Sequence, residues 1–266
     1  MFLGSVTPQP PLDRVVASTW LFERRDFEDE TERVLPSGRP QILFGLAEAT
    51  HLHEDEEGQV LRTGPRIVEG PRTRPIRIGT RQQRRVLGVT LRPGGLAALL
   101  HRPAPEFRDR IVDLDRHVPD ADRMHEAILA TDTPAEAFDQ VERWLVSHFD
   151  PSLAPSRAIE KAIDALEQGE PVDDVADATG LSPRRFREHF LRVVGVPPKQ
   201  WALLCRFQEL LRMVRQEQAP DWASLAVACG YYDQAHMIRD FRRFAGLTPG
   251  SYSPRDHDDV NHVPGE

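Results

Sequence analysis

The run Leu225-Ala226-Val227-Ala228-Cys229-Gly230-Tyr231-Tyr232-Asp233 decides the fold, because it occurs twice. Its counterpart, Val175-Ala176-Asp177-Ala178-Thr179-Gly180-Leu181-Ser182, stands 50 residues upstream with the small residues and the glycine in register. Beyond the glycine, Phe186, Phe190, Gly195 and Pro198 match Met237, Phe241, Gly246 and Pro249 at an offset of 51. One residue has therefore been inserted, and it falls in a turn, where insertion is tolerated. The small alanine lets two helices approach closely, and the glycine supplies the left-handed residue that ends the first helix. Ser182 or Asp233 then caps the second. The pattern is a helix-turn-helix used twice.

Turning at about 100° per residue, the second helix of each unit has one apolar stripe. Phe186, Phe190 and Val193 form it in the first unit, and Met237, Phe241 and Phe244 in the second. The opposite face carries Arg184, Arg185, Glu188 and Arg192 in one helix. In the other it carries Ala235, His236, Arg239, Arg242 and Arg243. An arginine-rich face on a lone helix is ordinarily solvated surface. Its recurrence at the exposed position of two such units points to DNA.

The run from Asp174 through Gly180-Leu181-Ser182-Pro183-Arg184-Arg185-Phe186 to Gly195-Val196-Pro197-Pro198 resembles the first DNA-binding half of the AraC/XylS family of transcription regulators. Gly230-Tyr231-Tyr232-Asp233-Gln234-Ala235-His236-Met237-Ile238-Arg239-Asp240-Phe241-Arg242-Arg243, followed by Gly246-Leu247-Thr248-Pro249 and Tyr252, is similar to that family's second-half signature. The resemblance covers residues 156–255. It implies seven helices in two helix-turn-helix units, joined by a long helix over about Pro198–Glu217. The recognition helices, about 183–194 and 233–245, would enter successive major-groove segments roughly one turn, ~34 Å, apart. Carried over by position, the base readers are Arg184, Arg187 and Glu188 in the first helix and Gln234, Ala235, His236 and Arg239 in the second. Arginine pairs bidentately with guanine and glutamine with adenine. Arg185, Arg192, Arg242 and Arg243 suit phosphates, which fix register and bring salt dependence. Glu188 departs from the pattern, occupying the slot that the repeat fills with Arg239. It either accepts from a cytosine amino group or pairs with Arg184 or Arg192, and the intramolecular pair is favoured.

The N-terminal part has a different grammar. Residues 1–118 alternate short apolar runs with turn residues. Arg39–Leu46 and Val86–Leu91 read as strands, and the Gly- and Pro-rich segments between them as the turns of an antiparallel sheet. Leu96–Leu100 reads as a helical turn. From Pro119 the period changes: Met124, Ile128 and Leu129 mark one helix face. Phe138, Val141, Trp144 and Leu145 mark another, with Thr133 as N-cap and Pro134 in the first turn. Expected divisions are a β-rich sensory or dimerisation domain over 1–118 and its helical extension over 119–149. A linker at 150–156 with two prolines, the DNA-binding domain at 157–255 and a frayed acidic tail at 256–266 complete the chain. The fold class is α+β. Arg33–Phe44 and Leu87–Gly95 look like the N-terminal domain of an uncharacterised, cupin-like branch of the family, which implies control by a small-molecule effector or by homodimerisation, and an RNA polymerase contact.

Composition fits this reading. The 266 residues are 39% hydrophobic and 29% charged, enough for two globular domains. The net charge of −8 excludes a wholly basic nucleic-acid coat, yet residues 156–255 carry 14 basic and 13 acidic side chains, a net of +1. No run approaches the ~20 apolar residues of a membrane span, and the start lacks a secretory pattern, so a cytoplasmic protein without a membrane partner is expected. Two cysteines, Cys205 and Cys229, exclude a disulfide scaffold or a Cys-rich zinc site. Cys229 could be an alkyl-accepting thiol, but residues 1–155 contain no cysteine for the zinc module that such proteins carry, and a small buried residue is the simpler reading. Phosphate-loop and nucleophile-elbow motifs are missing, so no enzyme and no cofactor are expected. The competing class is a metal-dependent cupin enzyme or metal sensor fused to the DNA-binding domain. His51 and His53 alternate onto one strand face and Glu57 could return across a hairpin as a third ligand for a divalent metal. The second histidine set of a cupin is missing after Pro93-Gly94-Gly95, where His101 is misplaced. Trp20 is a candidate wall for a pocket. A third class, an interaction protein whose DNA-binding domain has decayed, is opposed by the intact Asp233-Gln234 … Arg239 run.

Overall fold

A computed structural model describes residues 2–24, 31–47, 50–216, 220–254 and 260–264. Two antiparallel sheets build the N-terminal part. The larger contains β1 (Phe2–Val6), β2 (Val16–Glu23), β4 (Gln41–Gly45), β7 (Arg66–Glu69), β9 (Arg85–Leu91) and β10 (Ile111–Asp113), in the order β1-β2-β9-β4-β7-β10. The smaller contains β3 (Thr31–Val34), β5 (His51–Glu54), β6 (Val60–Thr63), β8 (Ile76–Gly79) and β11 (His262–Pro264), in the order β11-β3-β8-β5-β6. The larger sheet is apolar on one face and mixed on the other, and the period of two assigns each residue a side. Ile42 and Phe44 of β4, with Leu87, Val89 and Leu91 of β9, join the main core under the helices α1 (Gly95–Leu100), α2 (Ala121–Leu129) and α3 (Pro134–His148). Gln41 and Leu43, with Val86 and Thr90, face the other way, into a cavity against the smaller sheet. The layers are thus helices, sheet, cavity, sheet.

Capping chemistry sets the helix starts. Thr133 Oγ1 accepts from Glu136 N at 3.3 Å while Glu136 Oε2 accepts from Thr133 N at 3.3 Å, a capping box at the head of α3. Met124 and Ile128 are buried as the α2 stripe predicts, but Leu129 is 52% exposed, because it lies a further ~100° round the helix from Ile128.

The C-terminal part holds α4 (Arg157–Glu167), α5 (Val172–Ala178), α6 (Pro183–Val194), α7 (Pro198–Val214), α8 (Trp222–Ala228) and α9 (Gln234–Ala245). These are six α-helices among the described residues; where the family resemblance implies a seventh, Pro249–Ser251 forms a single 3₁₀ turn. The expected end of α7 at Glu217 lies outside the described residues. α7 serves both units: Trp201 completes the core of the first, with Phe186 and Phe190, whereas Phe207 packs at 5.4 Å on Phe241 in the second.

The segment 150–156, expected as a linker, is held along its length: Asp150 N donates to Ala98 O at 2.9 Å, and Pro155 packs against Gly94. One expectation needs correction. The tail is not frayed throughout, since Val260–Pro264 return to the N-terminal domain and β11 pairs with β3. Val263 is buried in the same core as Phe241 and Phe244. The pairing joins positions about 230 apart in sequence, which local periodicity does not register.

Candidate functional site

Both recognition helices begin on a side-chain cap. Ser182 Oγ accepts from Arg185 N at 3.4 Å ahead of α6, and Asp233 Oδ1 accepts from His236 N at 2.6 Å ahead of α9. Each satisfies an amide that the helix itself leaves open. Gly180 and Gly230, with φ of +70° and +73°, turn the chain between the paired helices. Phe186 and Phe190, or Met237, Phe241 and Phe244, are fully buried and fix the rotation of each helix. In α6 the buried stripe ends on Val194, with Val193 only half-buried.

That rotation turns Arg184, Arg185, Arg187, Glu188 and Arg192 outward from α6. Arg184 Nε donates to Glu188 Oε1 at 2.8 Å, one turn along the helix, so the intramolecular pair is the one that forms. Arg192 Nη2 donates to His189 Nδ1 at 3.2 Å; partial burial and the Arg192 charge hold this imidazole below the usual histidine range, which keeps it neutral and accepting. Beside α6 an open groove of about 480 Å³ runs to the start of α4, with Ser156, Thr179, Arg185 and Arg192 on its walls.

On α9, Gln234, Ala235, Arg239, Arg242 and Arg243 are exposed, and none of the three arginines makes an ion pair among the described residues. His236 does not join them. Its ring is half-buried, edge-on to Tyr231 at 5.5 Å, with Nε2 3.6 Å from Asp240 Oδ2. Tyr231 and Asp240 are both buried, and burial together with the Asp240 charge pushes the phenol upward. Tyr232 escaped the sequence reading. It is the inserted residue of the second turn, is 91% exposed and directly precedes the cap of α9. The changed offset between the repeats was the signal for it.

The second candidate region is the cavity between the sheets, about 420 Å³. Trp20 forms part of its wall, the ring lying over Gly88 of β9 so closely that a Cβ there would meet it at 2.2 Å, with Nε1 donating to Thr90 Oγ1 at 3.0 Å. His53 lines the same space. Burial, with the nearby His51 and Arg72, pushes its imidazole down to about 3, and its Nδ1 has no hydrogen-bond partner among the described residues. His51 and His53 do share the inner face of β5, with ring centroids 6.0 Å apart. Glu57 does not reach them: it stays on the turn, 3.6 Å from Arg74, and its side chain is 65% exposed. Among the described residues no group of three His, Cys, Asp or Glu side chains could hold a metal ion. The thiols are unreactive by environment: burial pushes Cys205 up to about 12 and Cys229 up to about 11.

Residues 175–255 match the family described as "Helix-turn-helix domain", and residues 5–113 match a domain of unknown function (DUF6597). Residues 175–255 thus belong to a helix-turn-helix family and follow a β-rich part that matches the domain of unknown function. No curated protein matches it in sequence. Among solved structures it is similar to ToxT from Vibrio cholerae, with a TM-score of 0.48 and 9% identity over 88% of this chain and 96% of that one. ToxT bound to (E)-4-(8-methylnaphthalen-1-yl)but-3-enoic acid gives 0.48 and 8% over the same shares. Wild-type ToxT of strain SCE256 with unsaturated fatty acid bound gives 0.44 and 10% over 90% and 93%. Among the described residues, no helix is long and apolar enough to cross a membrane.

Proposed function

We propose that this chain is an AraC-type transcription regulator that reads a bipartite duplex site through α6 and α9, and that a small molecule in the N-terminal cavity, or self-association of two chains, sets its DNA affinity. The observation that carries the DNA reading is the outward, unburied arginine face repeated on two capped helices of a tandem fold. In the second unit Gln234, Ala235 and Arg239 take base edges, while Arg242 and Arg243 take phosphates. In the first unit Arg187 is the principal base reader, and Arg185 and Arg192, which share a groove with Glu188, take phosphates. Arg184 and Glu188 act as a pair, which lowers what either gives to DNA. His236 supports α9 from behind more than it reads a base. Tyr232 adds a hydroxyl at the groove edge, where phosphate contacts are made.

The effector reading draws on the cavity itself, whose size lies within the ~300–1,000 Å³ of small-molecule sites. It also draws on the way the sheets grip the helical domain. Gln208 Nε2 of α7 donates to Pro36 O at 2.8 Å, and Arg39 pairs with Glu167 at 3.0 Å. The function is binding in the cytoplasm, with RNA polymerase as a further partner, and catalysis forms no part of it. The test is a titration of the full chain onto its selected duplex across a salt series. Arg243→Ala should weaken binding to all sequences alike and flatten the log–log salt slope by about 1, and Arg239→Ala should relax preference at one base pair. If neither change alters binding, the assignment of α9 fails.

A further inference from the structure

The last described residues, 260–264, lie beyond both family matches, which end at 113 and 255. They are nevertheless built into the cavity. β11 pairs with β3 through His262↔Val34, Val263↔Arg33 and Pro264↔Glu32, and Leu35 N donates to Asn261 O at 2.8 Å. Asn261 and His262 face the cavity, where His262 Nδ1 lies 2.9 Å from Glu32 Oε2. The same segment is held by the DNA-binding domain: Gln208 Nε2 donates to Asn261 Oδ1 at 2.8 Å, and Tyr252 Oη donates to Val260 O at 2.7 Å.

Among the described residues, each arginine that lines the cavity faces a carboxylate of the same lining. Arg24 pairs with Glu32 at 2.5 Å, and the Arg72 guanidinium sits against the Glu69 carboxylate. An anionic ligand would have to displace a carboxylate from one of these arginines, leaving a buried charge without its partner. The rest of the lining is uncharged: an indole wall, Trp20, amides and hydroxyls such as Gln41, Gln83 and Ser18, and His53 Nδ1, a buried neutral acceptor or donor with nothing to bond to among the described residues. A buried polar atom left so is costly, and a ligand group that meets it recovers that cost on binding.

We propose that the C-terminal segment 260–264 is a wall of a binding site for a small molecule of no net charge, aromatic or cyclic in its apolar part and with a hydrogen-bonding group for His53. This rests on the effector reading of the cavity given above. Because the wall is held by both α7 and β3, a ligand that presses on it acts directly on the second helix-turn-helix unit. Occupancy and the placement of α9 are then linked through five residues.

Two dyes with one ring system separate the possibilities: uncharged N-phenyl-1-naphthylamine and its anionic counterpart 1-anilinonaphthalene-8-sulfonate. The full chain should bind the uncharged dye at one saturable site, at least tenfold tighter than the sulfonate, with energy transfer from tryptophan that Trp20→Phe reduces. Removing residues 260–266 should weaken the uncharged dye tenfold or more. Because Val263 also anchors a core, the double change Asn261→Ala with His262→Ala, which keeps that anchor, is the second variant and should cost threefold or more. Equal or tighter sulfonate binding, no binding of the uncharged dye, or unchanged affinity in both tail variants would each overturn the proposal. Binding to the selected duplex is measured on the same preparations: dye failure with intact DNA binding sinks only this inference, whereas loss of sequence-specific DNA binding in the unaltered chain strikes the proposed function itself.

Discussion

The first helix-turn-helix unit carries on its outer face an arginine that already holds a carboxylate, whereas the arginines of α9 make no ion pair among the described residues. Both recognition helices carry one acidic residue, but Glu188 lies on the outer face and Asp240 is buried behind the helix. The second unit also has the longer turn, which projects Tyr232. A sequence repeat therefore preserved the scaffold, namely cap, glycine and apolar stripe, while the two reading faces diverged. The units differ again where they meet the sheets. The C-terminal end of α6 lies on Pro71 and Ala104 through Gly195, and that of α9 lies on Arg33 and Pro75 through Gly246.

This last contrast gives the largest expected effect. At Gly195, φ is +85°, and an added Cβ would stand 2.7 Å from the Pro71 ring and 3.2 Å from the Ala104 backbone. Gly195→Ala should destabilise the chain by about 2–4 kcal/mol, left-handed strain plus overpacking. Gly246→Ala, with φ of +65°, comes within 2.7 Å of the end of the Arg33 side chain and stays at ordinary contact, 3.7 Å, from Pro75, and should cost about 1–2 kcal/mol, mostly strain. Chemical denaturation of both variants checks the ranking, and equal losses would mean that the two units dock alike.

Next is the reading face. Arg239→Ala should cost about 1–3 kcal/mol in operator affinity. Arg184→Ala should cost clearly less in the same titration, because Glu188 competes with DNA for that side chain; parity between the two would erase the claimed asymmetry.

Titration separates the sheet domain from the second helical unit. The folded His53 imidazole is pushed down to about 3, below its unfolded value near 6.5, so the unfolded chain binds the proton first. The stability this group permits is complete above about pH 6.5 and is lost as pH falls toward 3. From about pH 7 to about pH 5 the loss is about 2 kcal/mol. Burial lowers His51 and His125 as well, in the same direction. Hydrogen exchange at the two pH values should locate the weakening in β5 and β6, and weakening first in α8 and α9 would refute it. The smallest effect is Glu188→Gln. Releasing Arg184 should tighten DNA binding by about 0.5–1 kcal/mol, whereas weaker binding with a lost cytosine preference would make Glu188 a base reader.

What the sequence made legible was the local chemistry. Ser182, Asp233 and Thr133 announce helix starts, Gly180 and Gly230 announce turns, and the phenylalanine spacing assigns faces, because each signal lies within a few residues of what it controls. Long-range pairing was illegible. His262 to Pro264 look like the end of an acidic tail, and nothing near them reveals that their partners are Glu32 to Val34. Prolines at 151 and 155 mark the linker, but nothing near them reveals that Pro155 rests on Gly94. His51 and His53 were placed correctly on one strand face, but whether Glu57 joins them depends on the path of a hairpin, which residue spacing leaves open.

The central claim is that one chain reads two unequal half-sites, and selection from random duplex DNA with the purified full-length protein tests it most directly. The account predicts an enriched bipartite site, its halves about one helical turn apart, with the sharper base preference in the half bound by α9. A single half-site, two halves of equal sharpness, or no enrichment at all would contradict it.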